Sequence, residues 1–261
     1  MRRASTVLQP LKDDRSSCGV FTDIDGTISL ITASPDESRI SSEAKIALFN
    51  LTANFKLVCL VTGRDVETAV EMAGFEGLAY IGSHGMEICM DGKCESTPSA
   101  GRYADVMPEV AGILARRFSS DEGIEIEAKK LALSVHYRRA EHSEQARRTI
   151  LTAVEPLLKK YGLKGIEARK ALELRPDIPE NKGRAISRVI ERKKLTSAVY
   201  FGDDTTDISA FEAMDRARKA GGYAVKVAVD SPEAPSALLE RADLVLKGVS
   251  EVISVFTWLA A

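Results

Sequence analysis

The 261-residue chain has only three histidines and four cysteines, and no cluster of the two has the spacing of a zinc site. Four cysteines are also too few to form a disulfide scaffold in a chain of this length. Neither sign of charge is in excess: 36 lysines and arginines against 38 aspartates and glutamates leave a formal charge of −2. Nothing in that balance suggests a basic face for nucleic acid or a polybasic patch for a membrane. No apolar run approaches the roughly 18 residues that cross a bilayer. Residues 1–17, MRRASTVLQPLKDDRSS, begin basic but lack the apolar stretch of a secretory signal. They read as a partly mobile leader, and the chain reads as a cytoplasmic monomer with a small-molecule partner. The sequence shows no internal repeat and no low-complexity tract.

Apolar residues, at 44%, suffice for a sizeable core. Short apolar runs end abruptly in polar residues. Cys18-Gly19-Val20-Phe21 runs into Thr22-Asp23, Leu57-Val58-Cys59-Leu60-Val61 into Thr62-Gly63-Arg64-Asp65, and Ala198-Val199-Tyr200-Phe201 into Gly202-Asp203-Asp204. Continuous apolar runs of this length suit parallel strands covered on both faces. Helical patterns lie between them. Ser41 or Ser42 caps one that carries Ile46, Ala47, Leu48 and Leu51, and Val66, Ala69, Val70 and Ala73 form another stripe. The alternation predicts an α/β fold, a doubly wound Rossmann-like parallel sheet, with its ligand beyond the carboxyl ends of the strands.

The middle of the chain has a different period. In Leu131–Tyr137, Leu131, Leu133, Val135 and Tyr137 point one way, and Ala132, Ser134 and His136 the other. Such alternation belongs to a sheet with one covered face, and helical segments at 106–118 and 144–161 are placed to cover it. The expected organisation is a core of residues 1–101 and 180–261 with an inserted α+β domain of residues 102–179. Cys18 and Cys59 lie in strand-like runs and read as core thiols. Cys89 and Cys94 flank Met90-Asp91-Gly92-Lys93. A two-residue turn at Asp91-Gly92 sets them face to face, within disulfide geometry. The expectation for a cytoplasmic chain is two reduced thiols.

Chemistry concentrates at the strand ends. Phe21-Thr22-Asp23-Ile24-Asp25-Gly26-Thr27 places two carboxylates two residues apart, on one side of an extended backbone. Both ionise readily only with a cation nearby. Gly202-Asp203-Asp204-Thr205-Thr206-Asp207 adds three aspartates after a buried run. Hard carboxylate and carbonyl oxygens of this kind suit Mg2+. The candidate ligands are Asp23, Asp203 and the carbonyl of Asp25, with Asp204 or Thr205 also available to cap the next helix. Thr62-Gly63-Arg64 offers a hydroxyl and backbone N–H groups for a phosphate oxygen. Lys182 offers an ammonium at a helix start.

The order DxDGT, a threonine-glycine at a strand end, a lysine, then GDDxxD resembles the haloacid dehalogenase superfamily of phosphohydrolases. The resemblance implies Asp23 as nucleophile, Asp25 as general acid and base, Thr62 and Lys182 on the phosphoryl group, and Asp203 on Mg2+, with Asp204 and Asp207 supporting metal and lysine. It also makes the inserted domain a type-IIB cap. Ile81-Gly82-Ser83-His84-Gly85-Met86-Glu87-Ile88, Glu127–Arg138, Leu172-Glu173-Leu174-Arg175-Pro176 and Phe201–Asp207 with Phe211 resemble segments of trehalose-6-phosphate phosphatases. That likeness implies hydrolysis of trehalose 6-phosphate, with Glu127, Lys129 and Glu173 on sugar hydroxyls. His84, with Gly63 and Arg64, joins the substrate residues, or else ties the Gly82–Gly85 loop to its neighbours. His136 reads as structural. Related phosphatases of sucrose 6-phosphate or mannosyl-3-phosphoglycerate remain alternatives.

Overall fold

A computed structural model describes residues 2–32, 37–168, 170–231 and 234–261. In chain order the strands are β1 (Cys18–Thr22), β2 (Leu57–Val61), β3 (Ala79–Gly82), β4 (Glu87–Met90), β5 (Lys93–Ser96), β6 (Glu125–Ala128), β7 (Leu133–His136), β8 (Leu163–Ala168), β9 (Ala171–Pro176), β10 (Ser197–Gly202), β11 (Tyr223–Asp230) and β12 (Leu244–Lys247). The helices are α1 (Arg2–Asp13), α2 (Ser42–Asn54), α3 (Val66–Ala73), α4 (Tyr103–Arg117), α5 (Ser143–Tyr161), α6 (Lys182–Lys193), α7 (Asp207–Lys219), α8 (Ser236–Arg241) and α9 (Gly248–Ala260). They form two compact units, Met1–Glu95 with Glu180–Ala261, and Ser96–Pro179.

The first unit is built on a sheet of order β12-β11-β10-β1-β2-β3-β4-β5. The pairs from β12 through to β3 are parallel, and β4 returns antiparallel to β3. Every residue of β1, β2 and β10 is buried, as their unbroken apolar runs require. Alternate side chains feed two cores. Val20, Val58, Leu60, Val199 and Phe201 pack with α1, α2, α3 and α9. Phe21, Cys59, Val61, Ala198 and Tyr200 pack with α6, α7 and α8. The register pairs Thr22 with both Leu60 and Phe201, so the carboxyl ends of β1, β2 and β10 are level.

The structure departs from the sequence-based expectation at three places. Residues 2–13 form a helix, not a mobile leader: Ala4, Leu8 and Leu11 recur at helical spacing and are buried against the core. Burying each leucine is worth roughly 1.5–3 kcal/mol, which outweighs the polar composition around them. In α2 and α3, Ile46 and Val70 face outward. The 3.6-residue period instead turns Ala44, Ala47, Leu48 and Leu51, and Val66, Ala69, Met72 and Ala73, into the core. Cys89 and Cys94 are joined as a disulfide rather than reduced. Asp91 and Gly92 both adopt positive φ, 53° and 72°, the signature of a two-residue hairpin turn. That turn brings the two Cα atoms to 4.0 Å.

The second unit is a sheet of order β6-β7-β9-β8, antiparallel throughout. Leu133, Val135, Leu172 and Leu174 are buried, as are Tyr103, Met107, Val110 and Leu114 of α4 and Ile150 and Val154 of α5. The register runs Glu127 to Ser134 to Glu173, placing these three side by side on the opposite face. Among the described residues no helix is long and apolar enough to cross a membrane.

Candidate active site

At the level carboxyl ends of the strands, the first residue past β1 is Asp23, anchored by its N–H to the Phe201 carbonyl at 2.8 Å. Its carboxylate is buried, and one oxygen accepts a bond from Lys182 Nζ at 2.7 Å. Lys182 opens α6, whose N-terminus is capped by Asn181 accepting from the Arg184 N–H. The ammonium is 2% exposed and also lies 2.7 Å from Asp207 Oδ1. A buried lysine is tolerable only with such compensation. Burial would lower its pKa, but Asp207 and Asp23 more than reverse that, so Lys182 stays charged. For Asp23, burial outweighs the attraction of Lys182 and raises the carboxyl well above its usual value.

Opposite the lysine stands Asp203, buried, with Thr27 Oγ1 at 3.2 Å from one oxygen and Ser231 Oγ at 3.0 Å from the other. It is pressed against Gly26, which has φ +79°, and a Cβ there would lie 1.9 Å from Asp203 Oδ2. Only glycine fits the turn of the first motif. Burial, then the neighbouring Asp207, push Asp203 up to about 7. Asp23, Asp203 and Asp207 bring carboxylate oxygens within 4.8 Å of one another. This all-oxygen, buried donor set fits a hard divalent cation.

Asp207 is already engaged on both oxygens. Oδ1 takes Lys182 and the Tyr200 hydroxyl at 2.5 Å, and Oδ2 takes the N–H groups of Asp203 and Asp204 at 2.8 and 3.0 Å. It orders the lysine and the loop, leaving Asp23 and Asp203 as the carboxylates best placed for metal. Asp204 turns its side chain to the start of α7, accepting from the N–H groups of Thr206 and Asp207. This is the helix-capping role.

Asp25 is half-buried and held by Arg64 through Nε at 2.8 Å and Nη2 at 2.9 Å, with Ser38 Oγ at 2.7 Å. Burial alone would raise its pKa, but the bonds and charge of Arg64, then Ser38, outweigh that and hold it below the usual range. Thr62 is buried at the end of β2, and its hydroxyl accepts the Arg64 N–H at 3.1 Å. A Cβ on Gly63 would lie 2.4 Å from His84 Nε2, so the imidazole rests directly on the Thr62–Arg64 loop. Ser83 and His84 both take positive φ, 49° and 54°. Their N–H groups bond Arg64 and Thr62 carbonyls at 2.6 and 3.1 Å. His84 therefore ties the two loops together.

In the second unit one Glu127 oxygen is hydrogen-bonded with His136 Nε2 at 2.8 Å, and the other pairs with Lys129 Nζ at 3.2 Å. Burial is outweighed by His136 and Lys129, so Glu127 is held below its usual pKa. Glu173 is gripped by both arms of Arg175 at 2.7 Å. These groups form a polar, ion-paired surface of carboxylates and cations.

Four residues that take part were not singled out from the sequence: Ser38, Tyr200, Ser231 and, beyond its place in DxDGT, Thr27. Tyr200 sits in an apolar run, where nothing separates a functional phenol from a core aromatic. Ser38 and Ser231 lie in irregular segments with no period to read.

A buried carboxylate at the end of the first strand, a lysine from a later helix and an acidic loop after β10 sit on a sheet whose fold is that of haloacid dehalogenase-like proteins. A haloacid dehalogenase-like hydrolase from Bacteroides thetaiotaomicron matches with a TM-score of 0.65 at 14% identity, over 94% of this chain and 100% of that one. A trehalose-6-phosphate phosphatase related protein matches at 0.75 and 23% identity (93% and 96% covered), and the C-terminal domain of Candida albicans trehalose-6-phosphate phosphatase at 0.75 and 22% (98% and 96%). At these identities the likeness establishes the fold. The family model of trehalose-phosphatase matches residues 21–243. The trehalose-phosphate phosphatases of Mycobacterium avium (strain 104) and Mycobacterium tuberculosis (strain ATCC 25618 / H37Rv) are 33% and 30% identical over 201 residues, 75% of this chain. The chain belongs to the trehalose-phosphatase family. It spans about half the length, 51%, of these curated relatives.

Proposed function

We propose that the chain hydrolyses trehalose 6-phosphate to trehalose and phosphate, with Mg2+ held by Asp23, Asp203 and the carbonyl of Asp25. The observation that carries this reading is the buried Asp23 carboxylate, fixed by Lys182 and facing Asp203. When bound, Mg2+ supplies positive charge to the phosphoryl oxygens and lets Asp23 ionise beside Asp203. Asp23 attacks phosphorus, and the ester bond to the sugar oxygen breaks, leaving an aspartyl-phosphate. Asp25 gives the departing oxygen its proton and then takes one from the water that attacks phosphorus, releasing phosphate and restoring Asp23. Lys182 and the Thr62 hydroxyl hold the phosphoryl oxygens through both steps.

Asp25 cannot deliver a proton while Arg64 grips both its oxygens. In this reading the incoming phosphoryl group, a stronger anion, draws Arg64 away, and Asp25 becomes free to protonate. Arg64 thus serves substrate and acid in turn. The paired carboxylates and cations at Glu127, Lys129 and Glu173 suit recognition of sugar hydroxyls, which accept and donate together. His84 acts through the Thr62–Arg64 loop.

The test is phosphate release from trehalose 6-phosphate, sucrose 6-phosphate, mannosyl-3-phosphoglycerate and glucose 6-phosphate, each with Mg2+ and with EDTA. Preference for trehalose 6-phosphate, abolished by EDTA, supports the reading. A preference for another ester overturns the substrate, and activity that survives EDTA overturns the metal.

A further inference from the structure

Tyr200 lies in the middle of β10, fully buried, with its ring on the face covered by α6 and α7. Its hydroxyl donates to Asp207 Oδ1 at 2.5 Å, and that same oxygen receives Lys182 Nζ at 2.7 Å. The ammonium in turn reaches Asp23 at 2.7 Å. Four groups therefore form one buried line: phenol, carboxylate, ammonium, nucleophile.

The surroundings hold the phenol in place. Phe211, from the first turns of α7, meets the ring edge-on, with centroids 6.3 Å apart and planes at 85°. Gly202 lies beneath both partners: a Cβ there would stand 2.4 Å from Asp207 Oδ2 and 2.7 Å from the Tyr200 ring. Any larger residue would push the pair apart. The N–H groups of Asp203 and Asp204 fix Oδ2 of Asp207, but a carboxylate held at one oxygen still pivots about it. At Oδ1 a second donor beside the lysine limits that freedom. Tyr200 is the group that provides it.

We propose that Tyr200 is a positioning residue for phosphoryl transfer, its hydroxyl locking Asp207 so that Lys182 is aimed at Asp23 and the phosphoryl oxygens. The inference rests on the phosphatase reading above and deepens it. Misplacing a catalytic group by a fraction of a bond length slows chemistry far more than it weakens ground-state binding, so the effect belongs in kcat.

The test is Tyr200→Phe, which keeps the ring and its packing and removes only the hydroxyl. With Mg2+ and trehalose 6-phosphate, kcat is expected to fall about ten- to a hundredfold, the range for losing a hydrogen bond to a charged partner. KM and the half-saturating Mg2+ concentration should stay within about twofold, as for a group whose interaction matters only in the transition state. Inhibition by vanadate, which mimics the transferring phosphoryl group, should weaken in step with kcat. In Asp207→Asn the same tyrosine substitution should cost little more, because the carboxylate it locks is gone. A folded Tyr200→Phe enzyme with wild-type kcat overturns the proposal. Parallel loss in kcat, KM and Mg2+ activation also overturns it, since that marks general loosening. The wild-type control separates the two readings: if it prefers another phosphate ester, the substrate assignment fails, and Tyr200 is judged on that ester by the same constants.

Discussion

Lys182 Nζ is 2.7 Å from Asp23 and 2.7 Å from Asp207, and none of the three side chains is more than 7% exposed. One cation thus holds two buried carboxylates that lie 184 residues apart at their extremes in the chain's numbering, from 23 to 207.

Removing that cation should be felt in stability as well as in rate. Lys182→Met leaves Asp23 and Asp207 without their shared charge partner. Breaking a buried pair by deleting one member costs about 3–5 kcal/mol. Urea unfolding at neutral pH should show a lower midpoint with little change in slope, and phosphate release should be lost. A variant as stable as the wild type contradicts the compensating role given to the lysine.

The polar surface of the second unit should govern the sugar and not the chemistry. Glu127→Gln and Glu173→Gln keep the shape but remove the charge that holds Lys129 and His136, and Arg175. KM for trehalose 6-phosphate should rise about tenfold, the cost of one hydrogen bond from a charged group to a sugar hydroxyl. Turnover of p-nitrophenyl phosphate, which has no sugar, should be unchanged. Equal losses on both substrates would remove these residues from substrate selection.

The Cys89–Cys94 disulfide closes a sequence separation of five residues at the tip of the β4–β5 hairpin. Loop-closure entropy for so short a loop amounts to about 2 kcal/mol at most. The double substitution to serine should lower the unfolding free energy by that amount or less. The hairpin itself is also held by Lys193 on Asp91 and by Arg192 on Glu95, so it should remain formed. A loss well above this bound, seen by calorimetry, would assign the disulfide a larger structural role.

The parallel core was legible because β1, β2 and β10 are apolar on both faces and end in the polar residues of the candidate site, so one pattern announces both strand and site. The sheet of the second unit was legible from the alternation in Leu131–Tyr137. What could not be read was direction. The apolar stripe of α2 includes Ile46 only when counted by composition, and its angle on the helix turns it to solvent. Residues 2–13 hid a helix because Pro10 and a basic start mask the spacing of Ala4, Leu8 and Leu11. In the site, the motif aspartates were evident and the resemblance implied a role for each, but the bonds that hold them were not legible. That Asp207 is saturated by four donors, and that Arg64 rests on Asp25, depends on packing between distant segments.

An aspartyl-phosphate on Asp23 is tested most directly by trapping the phosphoryl group on the enzyme. Wild-type protein with Mg2+ is mixed with trehalose 6-phosphate carrying a radiolabelled phosphoryl group, quenched in acid within one turnover and digested. Label is expected on the peptide containing Asp23 and absent from Asp23→Asn, which should also release no phosphate. Turnover by Asp23→Asn near the wild-type rate, or label on a different residue, would contradict it.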